Sequence, residues 1–148
     1  MTIDAAWLEE NVLLHKLNEG DLSLLNEVFE TITYHAGEEI IAQNNTAREL
    51  HILRSGSAAI TQTNGVKCVC LGYADEGALF GSMSFLTEKE ASATVTAHSN
   101  CLTYKLNLDG YCKLVTQNQE LLLSLLTYML NYSGNIVRMM NKQFSEQA

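Results

Sequence analysis

The feature that most constrains this chain is the dipeptide Asn64-Gly65, set between two runs in which apolar and polar residues alternate. Both residues tolerate positive φ, so the pair reads as the tight turn of a β-hairpin. Ser57–Thr63 and Lys67–Gly72 are its two strands. Five more short apolar or alternating runs share the same zone: Ile32–His35, Glu39–Ala42, Leu50–Leu53, Ala93–Ala97 and Leu102–Leu106. Gly37, Asn44-Asn45, Gly56 and Gly77 punctuate them. Many short strands at regular spacing predict a β-sandwich or barrel over residues 33–107.

Both flanks carry helical spacing instead. Over residues 1–32, Asp4 is expected to cap a helix through Trp7, Leu8, Val12 and Leu13. Asn18-Glu-Gly20 then breaks the pattern. Asp21 is expected to cap a second helix with Leu22, Leu24, Leu25, Val28 and Phe29 on one face. Over residues 109–145, Asp109 is expected to cap a short helix and Asn118 a long one. From Asn118 to Phe144 the long helix spans roughly 40 Å at ~1.5 Å per residue, more than a small barrel can cover. Its second half therefore needs another partner. Leu122, Leu126, Met129, Ser133, Ile136, Met140 and Gln143 step by four and three in alternation, as a coiled-coil seam does. Leu126, Met129, Ser133, Ile136 and Met140 are thus the expected face of a parallel homodimer. A different protein partner is the other reading, with Tyr132, Met139 and Met140 as an adaptable surface.

Composition narrows the function. The 148 residues suit a single domain. A net charge of -8, with only nine Lys and Arg, repels nucleic acid, so no DNA binding by this chain is expected. No apolar run is long enough to cross a membrane. The start, Met1-Thr-Ile-Asp-Ala-Ala-Trp-Leu-Glu-Glu, lacks a basic segment followed by an apolar one, so a cytoplasmic location is expected. Cys68, Cys70, Cys101 and Cys112 form no CxxC pair and read as reduced thiols packed on or under a sheet. His15, His35, His51 and His98 are scattered without ligand spacing and read as surface or hydrogen-bonded residues. No metal or cofactor is implied. Ser84, Ser92 and Ser99 lack a Gly-x-Ser-x-Gly elbow, and no nucleophile–base pair stands out, so no enzyme is expected.

The order of parts and four local segments resemble the cyclic-nucleotide-binding domain family, in its catabolite-activator form. Tyr34-His-Ala-Gly37-Glu-Glu-Ile40-Ile resembles the family's first turn and strand. Leu50-His-Ile-Leu-Arg-Ser-Gly56-Ser-Ala-Ala-Ile resembles the next strand, Gly turn and return strand. Phe80-Gly81-Ser-Met-Ser-Phe-Leu86, followed by Ala91-Ser92-Ala93-Thr94-Val95-Thr96-Ala97, resembles the phosphate-binding cassette, and Tyr104 through Phe144 the closing helices. The resemblance implies a jelly-roll fold, mainly β with flanking helices and a long C-terminal helix. Relatives of this type continue into a helix-turn-helix domain. This sequence ends after Phe144-Ser-Glu-Gln-Ala, so that output module is expected to be absent.

The resemblance also locates a pocket at Gly81, Ser82, Met83, Ala91, Ser92 and Ala93, closed by Ile136 and Val137 from the long helix. In the family a Glu binds the ribose hydroxyl and an Arg neutralises the cyclic phosphate. Those two positions align here with Ser82 and Ala91. The base-contacting positions align with Ile136 and Val137, which cannot hydrogen-bond a purine. Lys89 lies close by, but as a point charge without the bidentate fork. Normal cyclic-nucleotide binding is therefore expected to be lost.

Overall fold

A computed structural model describes residues 2–147. Asp4 accepts a hydrogen bond from the Trp7 amide (3.1 Å) and starts α1 (Ala5–Leu8). A wider π-helical turn, Glu9–Leu13, carries Val12 and Leu13 into the core. The second helix, α2 (Glu19–Val28), begins three residues earlier than the sequence pattern suggests. Asn18 is its cap, and Asp21 closes the capping box: the Asp21 amide donates to Asn18 Oδ1 (2.8 Å) and the Asn18 amide to Asp21 Oδ2 (3.1 Å). Gly20 lies inside the first turn, where it breaks nothing. In the same way Asn107, not Asp109, caps α4 (Leu108–Gln117), through the Gly110 amide at 2.8 Å.

Between the helices lie β1 (Phe29–Tyr34), β2 (Glu39–Ile41), β3 (Glu49–Ser55), β4 (Ala58–Asn64), β5 (Lys67–Ala74), β6 (Leu79–Phe80), β7 (Thr94–Ala97) and β8 (Cys101–Asn107). A six-residue helix, α3 (Ser82–Thr87), separates β6 from β7. The strands form two antiparallel four-stranded sheets, ordered β1-β8-β3-β6 and β2-β7-β4-β5. This is the jelly roll. The hairpin is present, displaced by one residue: Asn64 pairs with Lys67, so the turn is Gly65-Val66. Gly65 has φ +67°, which puts the glycine at the turn position that needs it.

Strand β3 is buried on both faces over Leu50–Leu53, which explains a run there that is apolar but for His51. Leu50, Ile52, Tyr104 and Leu106 face the helices, packing with Leu8, Leu25, Leu114, Leu121, Leu125 and Met129. Leu53 and Cys101 belong to a second core inside the barrel, with Ala58, Phe80, Val95 and Ala97. Arg54 ties the N-terminal helix down: it bonds Asp4 (2.8 Å) and Glu76 (2.9 Å) and lies 4.9 Å from the Trp7 ring centre. The arginine lowers the Asp4 carboxyl below its ordinary value through that hydrogen bond. All four cysteines are free thiols, as expected, but only Cys101 is buried, and its thiol donates to Ser57 O and Ser99 O (3.3 Å each). Cys68 and Cys70 are exposed because β5 is an edge strand, and Cys112 is exposed on α4.

Asn118 Oδ1 accepts from the Leu121 amide (3.1 Å) and starts α5 (Gln119–Gln147), a single helix. Leu121, Leu125 and Met129 pack into the first core. From Asn135 to Glu146 every residue is exposed. The helix outruns the barrel, as its length requires. Among the described residues no helix is long and apolar enough to cross a membrane.

Candidate functional site

The cassette begins at Gly81, between β6 and α3. Its φ is +79°, and a Cβ there would stand 2.4 Å from Glu49 O. Only glycine lets the chain turn this close under β3. Phe85, the buried anchor of α3, holds the helix to the core. Arg48 fixes the far end: its Nε and Nη2 donate to Phe85 O (3.0 and 2.7 Å) and its Nη1 to Glu88 Oε1 (3.1 Å). The loop that follows is pinned by backbone bonds. Asn44 N donates to Ala91 O (2.8 Å) and Ala91 N to Asn45 O (2.9 Å). Gln62 Nε2 reaches across from β4 to Ser92 O (3.0 Å).

These elements enclose a recess of about 390 Å³. Gly81, Met83, Ala91, Ser92 and Ala93 all line it. Ser82 does not; it is half-buried in the first turn of α3. Most of the wall is apolar, with Ile41, Ile60, Leu79, Phe80 and Val95 added to the cassette residues. Lys89 and Glu90 are the two charged residues lining it, adjacent on one exposed loop. Arg48 is committed to α3 and Glu88.

The expectation that Ile136 and Val137 close this pocket is not met. Ile136 lines a separate open recess with Tyr73, Tyr128 and Tyr132, and shares only the Ile60 wall with the cassette. Val137 lines neither. The helix contributes its last buried core residue at Met129, so both side chains come after it has left the barrel. Met129 is itself a correction to the expected dimer face: at 2% exposure it belongs to the chain's own core. Leu126 is half-buried against that core, Ser133 is half-buried, and Ile136 and Met140 are exposed.

His51 departs from its reading as a surface or hydrogen-bonded residue. It is 2% exposed, and its Nδ1 has no hydrogen-bond partner. It lies beneath the cassette, lining a hollow of about 20 Å³ with Gly81, Ser84 and Ala91. Burial pushes its pKa down to about 4; Glu49 opposes that shift and Lys105 adds to it. The unfolded value is about 6.5, so the unfolded chain binds the proton more tightly. Stability present above pH 6.5 is lost as pH falls from 6.5 toward 4, by about 3 kcal/mol in all. Chemical denaturation of the wild type and His51→Phe across that range isolates the effect. The wild type is expected to lose stability more steeply by this amount, and parallel curves contradict it. The signal for His51 lay in the sequence: a histidine set among Leu50, Ile52 and Leu53, at the parity of Leu53, faces an interior.

The family described as Cyclic nucleotide-binding domain matches residues 31–118, more than half of the chain. The chain belongs to that family. A cyclic nucleotide-binding domain from Methylobacillus flagellatus superposes with TM-score 0.83 at 13% identity, over 97% of this chain and 82% of that one. The Thermus thermophilus Catabolite Activator Protein superposes with TM-score 0.70 at 25% identity, over 90% of this chain and 62% of that one. In sequence, the cAMP-dependent protein kinase regulatory subunit of Aspergillus niger is 29% identical over 117 residues, 79% of this chain. This chain spans 28% of the length of that relative. Among the described residues, no group of three His, Cys, Asp or Glu side chains is placed to hold a metal ion.

Proposed function

We propose that this domain is a non-enzymatic regulatory or scaffold protein of the cytoplasm, which has lost normal cAMP and cGMP binding and acts through dimerisation or protein–protein contact. The supporting observation is the cassette's chemistry. Ala91 stands where the family resemblance calls for an Arg, and Ser82 where it calls for a Glu. The one basic residue lining the recess, Lys89, is flanked by Glu88 and Glu90. A cyclic phosphate there would forgo its guanidinium and its ribose its acceptor. Hydrogen bonds to charged groups contribute ~1.5–3 kcal/mol each, so the two losses cost about 3–6 kcal/mol, roughly 100- to 10,000-fold in affinity.

Calorimetric titration of cAMP, cGMP and cyclic dinucleotides at high protein concentration tests this reading. No saturable binding tighter than about 10 μM is expected; any such binding overturns it. A small-molecule sensor that still binds a cyclic nucleotide or another effector is the second reading, favoured by the recess itself, which keeps about 390 Å³ of ligand-sized space.

The dimer reading draws on the far side of α5. Leu123, Leu130, Val137 and Phe144 recur every seven residues and are 65, 72, 54 and 77% exposed. With Ser133, Met140 and Leu126, which is itself half-buried against the core, they make a three–four alternation along the helix. The proposed seam therefore moves one residue from the register Leu122, Met129, Ile136, Gln143. From Leu121 to Val137 the helix carries no charge, so two chains of net charge -8 meet there without local repulsion.

A further inference from the structure

The hollow beneath the cassette shares Ile41, Gly81, Ser84 and Ala91 with the larger recess. At about 20 Å³ it admits a single water-sized group. His51 lines it with a buried, unpartnered Nδ1, and native structures leave few such atoms unsatisfied. The imidazole is neutral near pH 7, so one ring nitrogen is an acceptor and the other a donor. Ser84, also buried, offers a hydroxyl on the same wall. Above the hollow the larger recess is apolar at Ile60, Met83, Ala93 and Val95, and its Lys89–Glu90 pair supplies no net charge.

We propose that the recess binds an uncharged, largely apolar small molecule ending in a hydroxyl, which is seated in the hollow and hydrogen-bonded to His51 Nδ1 and Ser84 Oγ. The inference rests on the reading that cAMP and cGMP are not the ligands of this pocket. A hydroxyl suits the hollow better than a carbonyl or an amide N–H, because it serves either tautomer of the histidine and both roles of the serine. An ionised head is disfavoured, because the hollow has no counter-charge of its own: Glu49, which also lines it, is paired with Lys105 at 2.5 Å.

The test uses two probes of one shape, 4-cyclohexylbutan-1-ol and butylcyclohexane, followed by NMR of the Met83, Ala91 and Ala93 methyl groups and the His51 ring nitrogens. The alcohol is expected to shift these methyls saturably and to move a His51 ring ¹⁵N resonance. The hydrocarbon is expected to bind at least about 10-fold more weakly, a difference of about 1.4 kcal/mol. His51→Leu is expected to abolish the preference, and Ser84→Ala, a smaller change, to reduce it. Equal binding of the two probes, no binding up to the solubility limit, or an unmoved His51 ring each overturns the proposal, the last leaving water as the hollow's occupant. A parallel cAMP arm keeps the two readings apart. Micromolar cAMP binding defeats the proposed function, whereas silence of both cAMP and the alcohol defeats only this inference.

Discussion

Installing Ser82→Glu and Ala91→Arg together is expected to raise cAMP affinity by roughly 100- to 10,000-fold, from undetectable to the micromolar range. The geometry at Ala91 favours the exchange. Ala91 is held by two backbone bonds to Asn44 and Asn45, so its Cα stays fixed when the side chain changes. Its side chain lines the recess, and a guanidinium built on it would extend into about 390 Å³ of space. Ser82 is the first residue of α3, directly after the tight Gly81 turn, where a carboxylate also suits the helix N-terminus. Ala91→Arg alone is expected to recover the larger share, since it supplies the guanidinium that pairs with the anionic phosphate. Calorimetry on the two single variants and the double variant measures the gain. A folded double variant that still ignores cAMP would show that the cassette alignment is wrong, or that the hollow under Ala91 refuses the longer side chain.

The fold was legible because its periods are strong. Strands with one face in the core and helices with one apolar stripe announce themselves, and every strand longer than two residues was anticipated within a few residues. The two-residue β6 was not, because two residues carry no period. The helix starts slipped where two capping residues compete: Asn18 and Asp21, and Asn107 and Asp109, are all good caps, and side-chain geometry decides between them. Gly81, Met83, Ala91, Ser92 and Ala93 were brought to one recess by a resemblance that spans the whole cassette. His51 was overlooked because a lone histidine is ordinarily unremarkable. Its meaning came from a strand buried on both faces, which the neighbours Leu50, Ile52 and Leu53 encode together. Ile136 and Val137 were misplaced for the opposite reason. Periodicity gives a helix its stripes but not the point at which it leaves the barrel.

That same ambiguity sets the most discriminating test of the terminal helix. The first half of α5 is apolar nearly all round, so the sequence permits two adjacent heptad registers, one through Met129 and one through Leu130. In the first, Leu122 is half-buried and Met129 buried, whereas Leu123, Leu130, Val137 and Phe144 of the second are all exposed. Leu130→Glu is therefore expected to weaken the dimer by roughly 100-fold or more, because two-fold symmetry sets each new carboxylate against its own copy at a cost of several kcal/mol. The protomer itself should stay within about 0.5 kcal/mol of wild type, since Leu130 contributes nothing to the core. Met129→Glu is the contrast: it buries a charge beside Leu121 and Leu125, and is expected to unfold the protein rather than merely dissociate it. Size-exclusion chromatography with light scattering, run beside circular dichroism, separates these outcomes. A wild-type protein that is monomeric at tens of micromolar ends the dimer reading. A Leu130→Glu protein that remains a dimer moves the seam back toward Ile136, an exposed member of the first register. If Leu130→Glu yields a folded monomer, α5 is both things at once: a core element as far as Met129, and an association surface along the face that the barrel leaves bare.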